Sequence, residues 1–304
     1  MQPSGQLHIG NYFGALKQTV EMFQGAEGLV MIADYHALTS LKDPEALRRN
    51  IAEVVRDYVA VGLDPQKAVL FQQSSVPEHT ELAWIFDCLV TVPFLMQAHA
   101  YKDKVAKGLE ANAGLFTYPM LMAADILLYD TDVVPVGADQ RQHVEYAREA
   151  AAKFNAAFGQ TFKEPVEKIL DTVAVVPGTD GQKMSKSYGN VIPLFGTKDE
   201  ISKAVMSIVT DSNAESPTNV YAIHSLFKDR DYLSDLYKTN KGKYKALKDA
   251  LVEDIEALLA PMRERRQGIT DADVKRVLKE GAERAQAQAS VKMKDVRQKV
   301  GVVI

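Results

Sequence analysis

The chain has 304 residues, of which 46% are hydrophobic and 25% are charged, and its net charge is −4. These values are typical of an ordinary globular protein of two modest domains, and they argue against a strongly basic nucleic-acid binder. The single cysteine, Cys88, excludes a disulfide framework, and no apolar run approaches the ~20 residues that span a bilayer. We therefore expect a cytoplasmic protein with no membrane partner, in which Cys88 is buried among apolar neighbours.

The first feature in chain order is the segment P-S-G-Q-L-H-I-G-N at residues 3–11, which an apolar, helix-like run from Tyr12 to Phe23 follows. Its glycines allow the backbone to approach a bulky ligand, and N–H groups at a helix start favour an anion. His8 and Asn11 add donors that can point at a phosphate. On its own, the segment is equally compatible with a plain turn that caps a helix.

A β–α–β unit is predicted next. The apolar run 28–34 indicates a buried parallel strand, Asp43-Pro44-Glu45 begins a helix that continues to about Val61, and Ala68–Gln72 is a second strand. This order predicts half of a doubly wound α/β sheet, in which ligands bind at the carboxyl ends of the strands. Such units occur in many enzymes, so the pattern fixes no function.

Residues 76–98 are mostly apolar with helical spacing and include the only tryptophan, Trp84. Their wide apolar faces predict packing against something beyond the local sheet. A polar connector rich in cations is expected at 101–108, where Lys102 or Lys104 could reach a phosphate or simply be solvated.

Asp125 interrupts an otherwise apolar helix pattern over residues 116–129. A buried carboxylate needs a partner, which could be a backbone amide, a lysine or a donor on a ligand. Met122 and Tyr118 lie one and two turns earlier on the same face. An acceptor, a thioether and a phenol together suit an aromatic ring that carries one N–H, as indole does.

Further strands are predicted at 132–136 and 172–177, with a helix to about Phe158 between them, in which His143 is expected to serve packing. The second strand leads into G-Q-K-M-S-K-S at residues 181–187. Lysines three residues apart in a glycine-flanked loop could close over a polyphosphate and neutralise charge in a phosphoryl-type transition state. A solvated surface loop is the alternative for this segment alone.

Together, P-S-G-Q-L-H-I-G-N and K-M-S-K-S resemble the two signatures of the class I aminoacyl-tRNA synthetases, the HIGH and KMSKS motifs. The residue pattern of the first motif is most similar to that of the bacterial tryptophanyl-tRNA synthetases. Two further segments share this similarity: F-T-Y-P-M-L-M-A-A-D-I-L-L-Y at 116–129 and V-G-A-D-Q-R-Q-H at 136–143. The resemblance covers Met1 to about Arg284 and is weak in the last hundred residues.

The resemblance implies a ligase that activates L-tryptophan with ATP and Mg²⁺, passes it to tRNA(Trp), and releases AMP and pyrophosphate. It implies no protein-held metal site, no DNA partner and a homodimer built on the helical insertion. The implied catalytic residues are His8, Asn11, Lys183 and Lys186. The implied ATP-binding residues are Gln2, Ser4, Gly10, Asn11, Lys104, Lys183, Met184, Ser185 and Lys186. The implied tryptophan-binding residues are His36, Tyr118, Met122, Asp125 and Gln140. Asp125 would accept from the indole N–H, and Tyr118 and Gln140 would hold the α-amino group.

The implied fold is a doubly wound, Rossmann-like (HUP-type) catalytic domain at 1–192 with a helical insertion at about 77–128, and an all-helical anticodon-binding domain at 193–304. From about Pro193 the spacing is helical, ending in a helix from Asp271 to about Val300. This last third is net basic, whereas residues 1–197 are net acidic. Its basic clusters contact either solvent or tRNA phosphates: Lys241, Lys243, Lys245, Arg263, Arg265 and Arg266.

Three alternatives remain open from the sequence. A tyrosyl-tRNA synthetase has the same fold and chemistry, a non-catalytic relative could bind tryptophan or RNA, and a nucleotidyltransferase would need no RNA partner. Only Met1-Gln2 precede Pro3, although the phosphate turn of such a fold normally follows a strand. The resemblance implies a further strand upstream of Pro3. Either this sequence starts too far downstream, which we favour, or this member lacks its first strand.

Overall fold

The fold is mixed α/β with two parallel strand pairs. The computed structural model describes residues 1–3, 5–23, 28–108, 110–136, 141–169, 176–210 and 217–303. The strands in these ranges are β1 Gly28–Ile32, β2 Ala68–Gln72, β3 Val133–Val136 and β4 Val166–Ile169. β1 pairs with β2 and β3 with β4, each in parallel. The predicted β1, β2 and β3 are confirmed, β4 is an additional strand, and most of the strand predicted at 172–177 lies outside the described residues.

The first half of the chain supplies nine helices within the described ranges. They are α1 Ile9–Asn11, α2 Lys17–Met22, α3 Asp34–Ala37, α4 Pro44–Ala60, α5 Glu78–Asp87, α6 Val92–Leu95, α7 His99–Ala106, α8 Ala113–Leu127 and α9 Arg141–Phe158. A π-helical turn, Tyr12–Leu16, joins α1 to α2. The Asp43 carboxylate caps α4 by accepting from the N–H groups of Glu45 and Ala46, as its sequence predicts.

Two local expectations in this half are wrong. The cationic connector at 101–108 is largely α7, because His99 to Ala106 contains no glycine or proline to interrupt a helix. Cys88 is exposed rather than buried, since it follows the last turn of α5, beyond the face that packs inward.

From Lys198 onward the described part of the chain is mainly helical, as the spacing from about Pro193 predicts. Its helices are α10 Lys198–Met206, α11 Thr218–His224, α12 Arg230–Thr239, α13 Tyr244–Gln267 and α14 Asp271–Val300. Thr197 and Glu200 form a capping box at the start of α10, and Thr270 and Asp273 form another at the start of α14. No described helix is long and apolar enough to cross a membrane.

α14 returns from the helical part and packs across β2. Gly281 makes this approach possible, because a Cβ at this position would lie 1.9 Å from the carbonyl oxygen of Leu70. Farther along α14, Arg297 donates two hydrogen bonds to Glu81 on α5. The last helix therefore belongs to the packing of the parallel sheet, and the proposed division into domains at residue 192 stays a prediction.

Replacing Gly281 with alanine is expected to lower the free energy of unfolding by about 1–3 kcal/mol, because the helix must move off the Leu70 carbonyl. Helix propensity alone would give the opposite sign, a gain of about 0.5–1 kcal/mol. Gly14→Ala is the matched control, since its Cβ would meet nothing within 4 Å. Urea unfolding of both variants checks this, and equal stabilisation by both would contradict the close packing.

The open edge of β1 is paired at its carboxyl end by the first residue. The backbone nitrogen of Met1 donates to Met31 O over 2.6 Å, and Ala33 N donates to Met1 O over 2.9 Å. These two bonds flank Ile32 in the pattern of a parallel ladder. The rest of that edge borders the cavity described below. The expectation of an upstream strand stays a prediction.

Candidate active site

The two signature segments are held side by side by backbone hydrogen bonds. Ile9 N donates to Ile192 O over 3.0 Å, and Leu194 N donates to Leu7 O over 3.0 Å, which forms an antiparallel bridge around His8. The K-M-S-K-S loop, residues 183–187, lies just upstream of this bridge. The two motifs are far apart in the sequence, and this bridge brings them next to each other in the fold.

The histidine of the first motif is held in a neutral state. His8 is buried at the start of α1, and its backbone N–H donates to Asn11 Oδ1 over 3.0 Å. Burial, and then the positive charge of Lys186, lower the pKa of His8 to about 4. At neutral pH the ring therefore offers one N–H and one lone pair without a charge. Gly10 permits this placement, because a Cβ there would lie 2.9 Å from His8 Nδ1.

The lysines of the K-M-S-K-S loop differ in their surroundings. Lys186 Nζ donates to Gly5 O over 3.1 Å, which ties the loop to the first motif. Partial burial lowers the pKa of Lys186, and the charge of Asp57 opposes that change. Lys183 lies on the exposed side of the loop. Met184 is 4% exposed and packs in the core with Ile9, so only its backbone can meet a ligand.

Asn190 holds the loop in its bend. Its Oδ1 accepts from Ser185 N over 2.7 Å, and its Nδ2 donates to Asp180 Oδ1 over 2.7 Å and to Lys183 O over 3.1 Å. The side chain is 2% exposed. Asn190 thus fixes the backbone on both sides of Met184, a role for which the sequence pattern gives no signal.

Replacing Asn190 with alanine is expected to lower the free energy of unfolding by about 1–3 kcal/mol, because buried partners lose their hydrogen bonds. Thermal or urea unfolding measures this. Gln182→Ala, at an exposed position of the same loop, is the control and should change stability by no more than about 0.5 kcal/mol. If both variants were equally stable, the hydrogen bonds of the Asn190 side chain would contribute nothing to the free energy of unfolding.

A large cavity of about 1560 Å³ opens beside β1 and α8. Four of the five predicted tryptophan-binding residues line it together: His36, Tyr118, Met122 and Asp125. Gln140, the fifth, lies outside the described residues. Of the predicted nucleotide residues, Gln2 lines the cavity and Ser4 lies outside the described residues. Lys104 is on α7, and no residue of α7 lines this cavity.

Asp125 is the most strongly held group of the cavity. His36 Nε2 lies 2.9 Å from its Oδ2, and Gln73 Nε2 donates to both oxygens over 2.8 and 3.0 Å. His79 Nδ1 lies 2.7 Å from Oδ1. Burial alone would raise the pKa of Asp125, but the hydrogen bonds and charges of His36 and His79 outweigh it and hold the pKa at about 2. The group is an anion at every physiological pH.

The protein partners of Asp125 are neither the lysine nor the backbone amide that the sequence left open. They are two histidines and a glutamine from three other elements, and sequence spacing gives no signal for Gln73 or His79. His143, expected to serve helix packing, also lines the cavity, and its Nε2 hydrogen-bonds the Tyr118 hydroxyl. The described residues contain no group of three or more His, Cys, Asp or Glu side chains arranged to hold a metal ion.

Comparison with known proteins gives one consistent answer. The family model described as tRNA synthetases class I (W and Y) matches residues 1–280. A tryptophan–tRNA ligase of Fusobacterium nucleatum is 49% identical over 100% of this chain and 97% of its own length. One from Rhodopirellula baltica is 46% identical over 99% and 98%.

Among solved structures, the tryptophanyl-tRNA synthetase of Campylobacter jejuni complexed with ADP and tryptophan superposes with a TM-score of 0.94. It is 44% identical, and the match covers 99% of this chain and 98% of that one. The joined HIGH-type and K-M-S-K-S segments and the anionic Asp125 agree with this similarity. The chain therefore belongs to the class I tRNA synthetases of the tryptophan and tyrosine group, and within it to the tryptophanyl-tRNA synthetases.

Proposed function

We propose that this enzyme activates L-tryptophan with ATP and transfers the tryptophanyl group to tRNA(Trp). The observation that carries the choice of amino acid is the anionic Asp125 in a cavity that Met122 and Tyr118 also line. A site built to hydrogen-bond a group on its substrate rejects ligands without that group far better than an apolar slot does. The tryptophan and ADP bound to the Campylobacter relative support this assignment.

The reaction has two steps. In the first, a carboxylate oxygen of tryptophan attacks the α-phosphorus of ATP, and the bond to pyrophosphate breaks. In the second, a hydroxyl of the 3′-terminal ribose attacks the acyl carbon, and the bond to AMP breaks while the hydroxyl proton is lost. The protein has little covalent chemistry to do. It holds the reactants in line and stabilises charge on phosphate oxygens.

The first motif would serve the α-phosphate and ribose side. Neutral His8 can donate to a phosphate oxygen without adding a charge, and Asn11 lies three residues later, at the end of α1. Gly10, which leaves room for His8, would also allow adenine to lie against the backbone. Gln2 and Ser4 are proposed to touch the nucleotide from the segment before this helix.

The K-M-S-K-S loop would serve the leaving pyrophosphate. Lys183, Lys186 and Ser185 are the proposed donors, and Lys186 would exchange the Gly5 carbonyl for a phosphate oxygen. Lys104 is a further proposed contact from α7. Since no protein metal cluster is present among the described residues, Mg²⁺ would arrive on the phosphates of ATP, which is its usual mode of binding. It would share the charge that develops on pyrophosphate.

The tRNA would meet the helical C-terminal part. Arg265 and Arg266 are engaged within the protein, since Arg265 Nε donates to Ala60 O and Arg266 Nε to Asp57 Oδ1. The exposed Lys243 and Lys245 are better placed for phosphate contacts. A cytoplasmic location follows from this proposal, because the enzyme must meet its tRNA there.

A homodimer is also part of the proposal. The helical insertion presents large apolar side chains to solvent: Trp84 is 70% exposed, Val92 60% and Met96 50%. Exposed apolar side chains on neighbouring helices are typical of protein–protein contacts. Sedimentation equilibrium tests this, with a mass of two chains expected and a mass of one chain contradicting it.

Acylation of tRNA(Trp) with labelled tryptophan tests the complete reaction. We expect acid-stable label on the tRNA, one AMP for each acyl group, and none of this with tRNA(Tyr). Formation of the adenylate without transfer would limit the function to activation. Binding of tryptophan without ATP turnover would favour the non-catalytic alternative.

A further inference from the structure

The Asp125 carboxylate is contacted from two different sides. On the cavity side, His36 Nε2 lies 2.9 Å from Oδ2, and both residues line the cavity. On the other side, His79 Nδ1 lies 2.7 Å and Gln73 Nε2 2.8 Å from Oδ1. Gln73 and His79 are 0% exposed and do not line the cavity. Oδ1 is therefore contacted only by buried groups among these three residues, whereas Oδ2 lies between the cavity-side His36 and the buried Gln73 Nε2, which is 3.0 Å away.

The neighbours of His79 favour one tautomer of its neutral ring. The Asp125 anion beside Nδ1 favours the hydrogen on that nitrogen, which leaves Nε2 as an acceptor. His79 Nε2 lies 2.9 Å from the Tyr129 hydroxyl. Burial, and then the negative charge of Asp125, raise the pKa of Tyr129, so this hydroxyl keeps its proton and donates it to the ring.

The His79 ring is also fixed mechanically. It stacks on Phe71 at a centroid distance of 6.0 Å and an interplanar angle of 26°. Tyr129 belongs to the turn that follows α8, the helix that carries Asp125, so the chain of bonds runs from one end of α8 through His79 on α5 and back to Asp125. Groups that fix a tautomer and an orientation in this way commonly tune the group that contacts the ligand.

We propose that Tyr129, His79 and Gln73 are positioning residues for amino-acid selectivity. His79 and Gln73 contact Oδ1, and Gln73 also reaches Oδ2, so that the carboxylate is held with Oδ2 towards the cavity, where a ring N–H can compete with His36. The selectivity for a ring that carries an N–H then depends on these buried residues as well as on the residues that line the cavity. This inference rests on the proposed function.

The test compares tryptophan with the analogue in which sulfur replaces the ring N–H, β-(3-benzothienyl)alanine. Pyrophosphate exchange gives kcat and KM for both substrates with wild type, His79→Leu, His79→Asn and Tyr129→Phe. His79→Leu should raise KM for tryptophan about 10- to 100-fold with a smaller change in kcat, because the buried carboxylate loses a polar partner. It should leave kcat/KM for the analogue within about threefold, because that ligand makes no hydrogen bond to Asp125.

His79→Asn is the rescue variant, since its side-chain amide can replace the Nδ1–H donor. It should restore most of the preference for tryptophan, and Tyr129→Phe should lose only part of it. Equal losses for both substrates, or no difference between the leucine and asparagine variants, would overturn the proposal. If His79→Leu fails to fold, the same ratio of the two substrates measured with Tyr129→Phe decides between these outcomes. A wild type that is inactive with tryptophan would instead refute the proposed function and this inference with it.

Discussion

Asp125→Asn is expected to lower kcat/KM for tryptophan about 100-fold, because a charged hydrogen bond worth roughly 1.5–3 kcal/mol is lost from the indole N–H. The amide would also place an NH₂ group against His36, Gln73 and His79, whose nitrogens now surround an anion. The loss should appear mainly in KM, since the proposed role of the carboxylate is to recognise the ring, away from the reacting atoms. Pyrophosphate exchange at varied tryptophan concentration measures it.

Asp130→Asn is the matched control for this variant. Asp130 follows the same helix and also lines the cavity, but its side chain is half-exposed and pairs with Lys292 over 2.6 Å. Its φ of 47° lies in the left-handed region, which asparagine adopts readily. The control should keep KM for tryptophan within about twofold, as a surface substitution does. If Asp125→Asn behaved like Asp130→Asn, the carboxylate would have no part in recognition.

Lys186→Ala is expected to lower kcat for adenylate formation about 10²- to 10³-fold, which is the usual cost of removing one donor from developing charge. Lys186 is the loop lysine that reaches the first motif, through its bond to Gly5 O. Because its proposed partner is the leaving pyrophosphate rather than the amino acid, KM for tryptophan should stay unchanged. Single-turnover formation of adenylate separates this step from the release of products.

Lys198→Ala provides the comparison. Lys198 lies after the same loop, at the start of α10, and pairs over 2.8 Å with the exposed Glu253 on α13. An exposed ion pair of this kind contributes little to stability or catalysis. Adenylate formation should therefore proceed at the wild-type rate. A Lys186 variant as fast as this control would contradict a role for the loop in expelling pyrophosphate.

The sequence predicts elements well where local rules decide them. The Asp43 cap, β1, β2 and the last helix, α14, all appear where periodicity and capping residues place them. β4 escapes prediction because Val166–Ile169 is short and contains Glu167 and Lys168, so it lacks the apolar run of a buried strand. The helix at His99–Ala106 escapes it because its polar residues resemble a loop when the packing of neighbouring helices is unknown.

The site could be predicted only in part for a related reason. Helical spacing on α8 brings Tyr118, Met122 and Asp125 to one face, so this part of the cavity lining can be predicted from the sequence. The groups that hold Asp125 come from α3, the turn after β2, and α5, up to 89 residues away. Spacing within one element carries no information about such contacts. The same holds for Asn190, whose role depends on the bend of its own loop.

Pyrophosphate exchange into ATP, with tryptophan and tyrosine as parallel substrates, tests the proposed amino-acid activation most directly. It detects adenylate formation and the choice of amino acid in one assay, without tRNA. We predict exchange that depends on tryptophan and is absent with tyrosine. Exchange with tyrosine alone would contradict the assignment of the Asp125 cavity, and exchange with neither amino acid would contradict the proposal that this chain forms an adenylate.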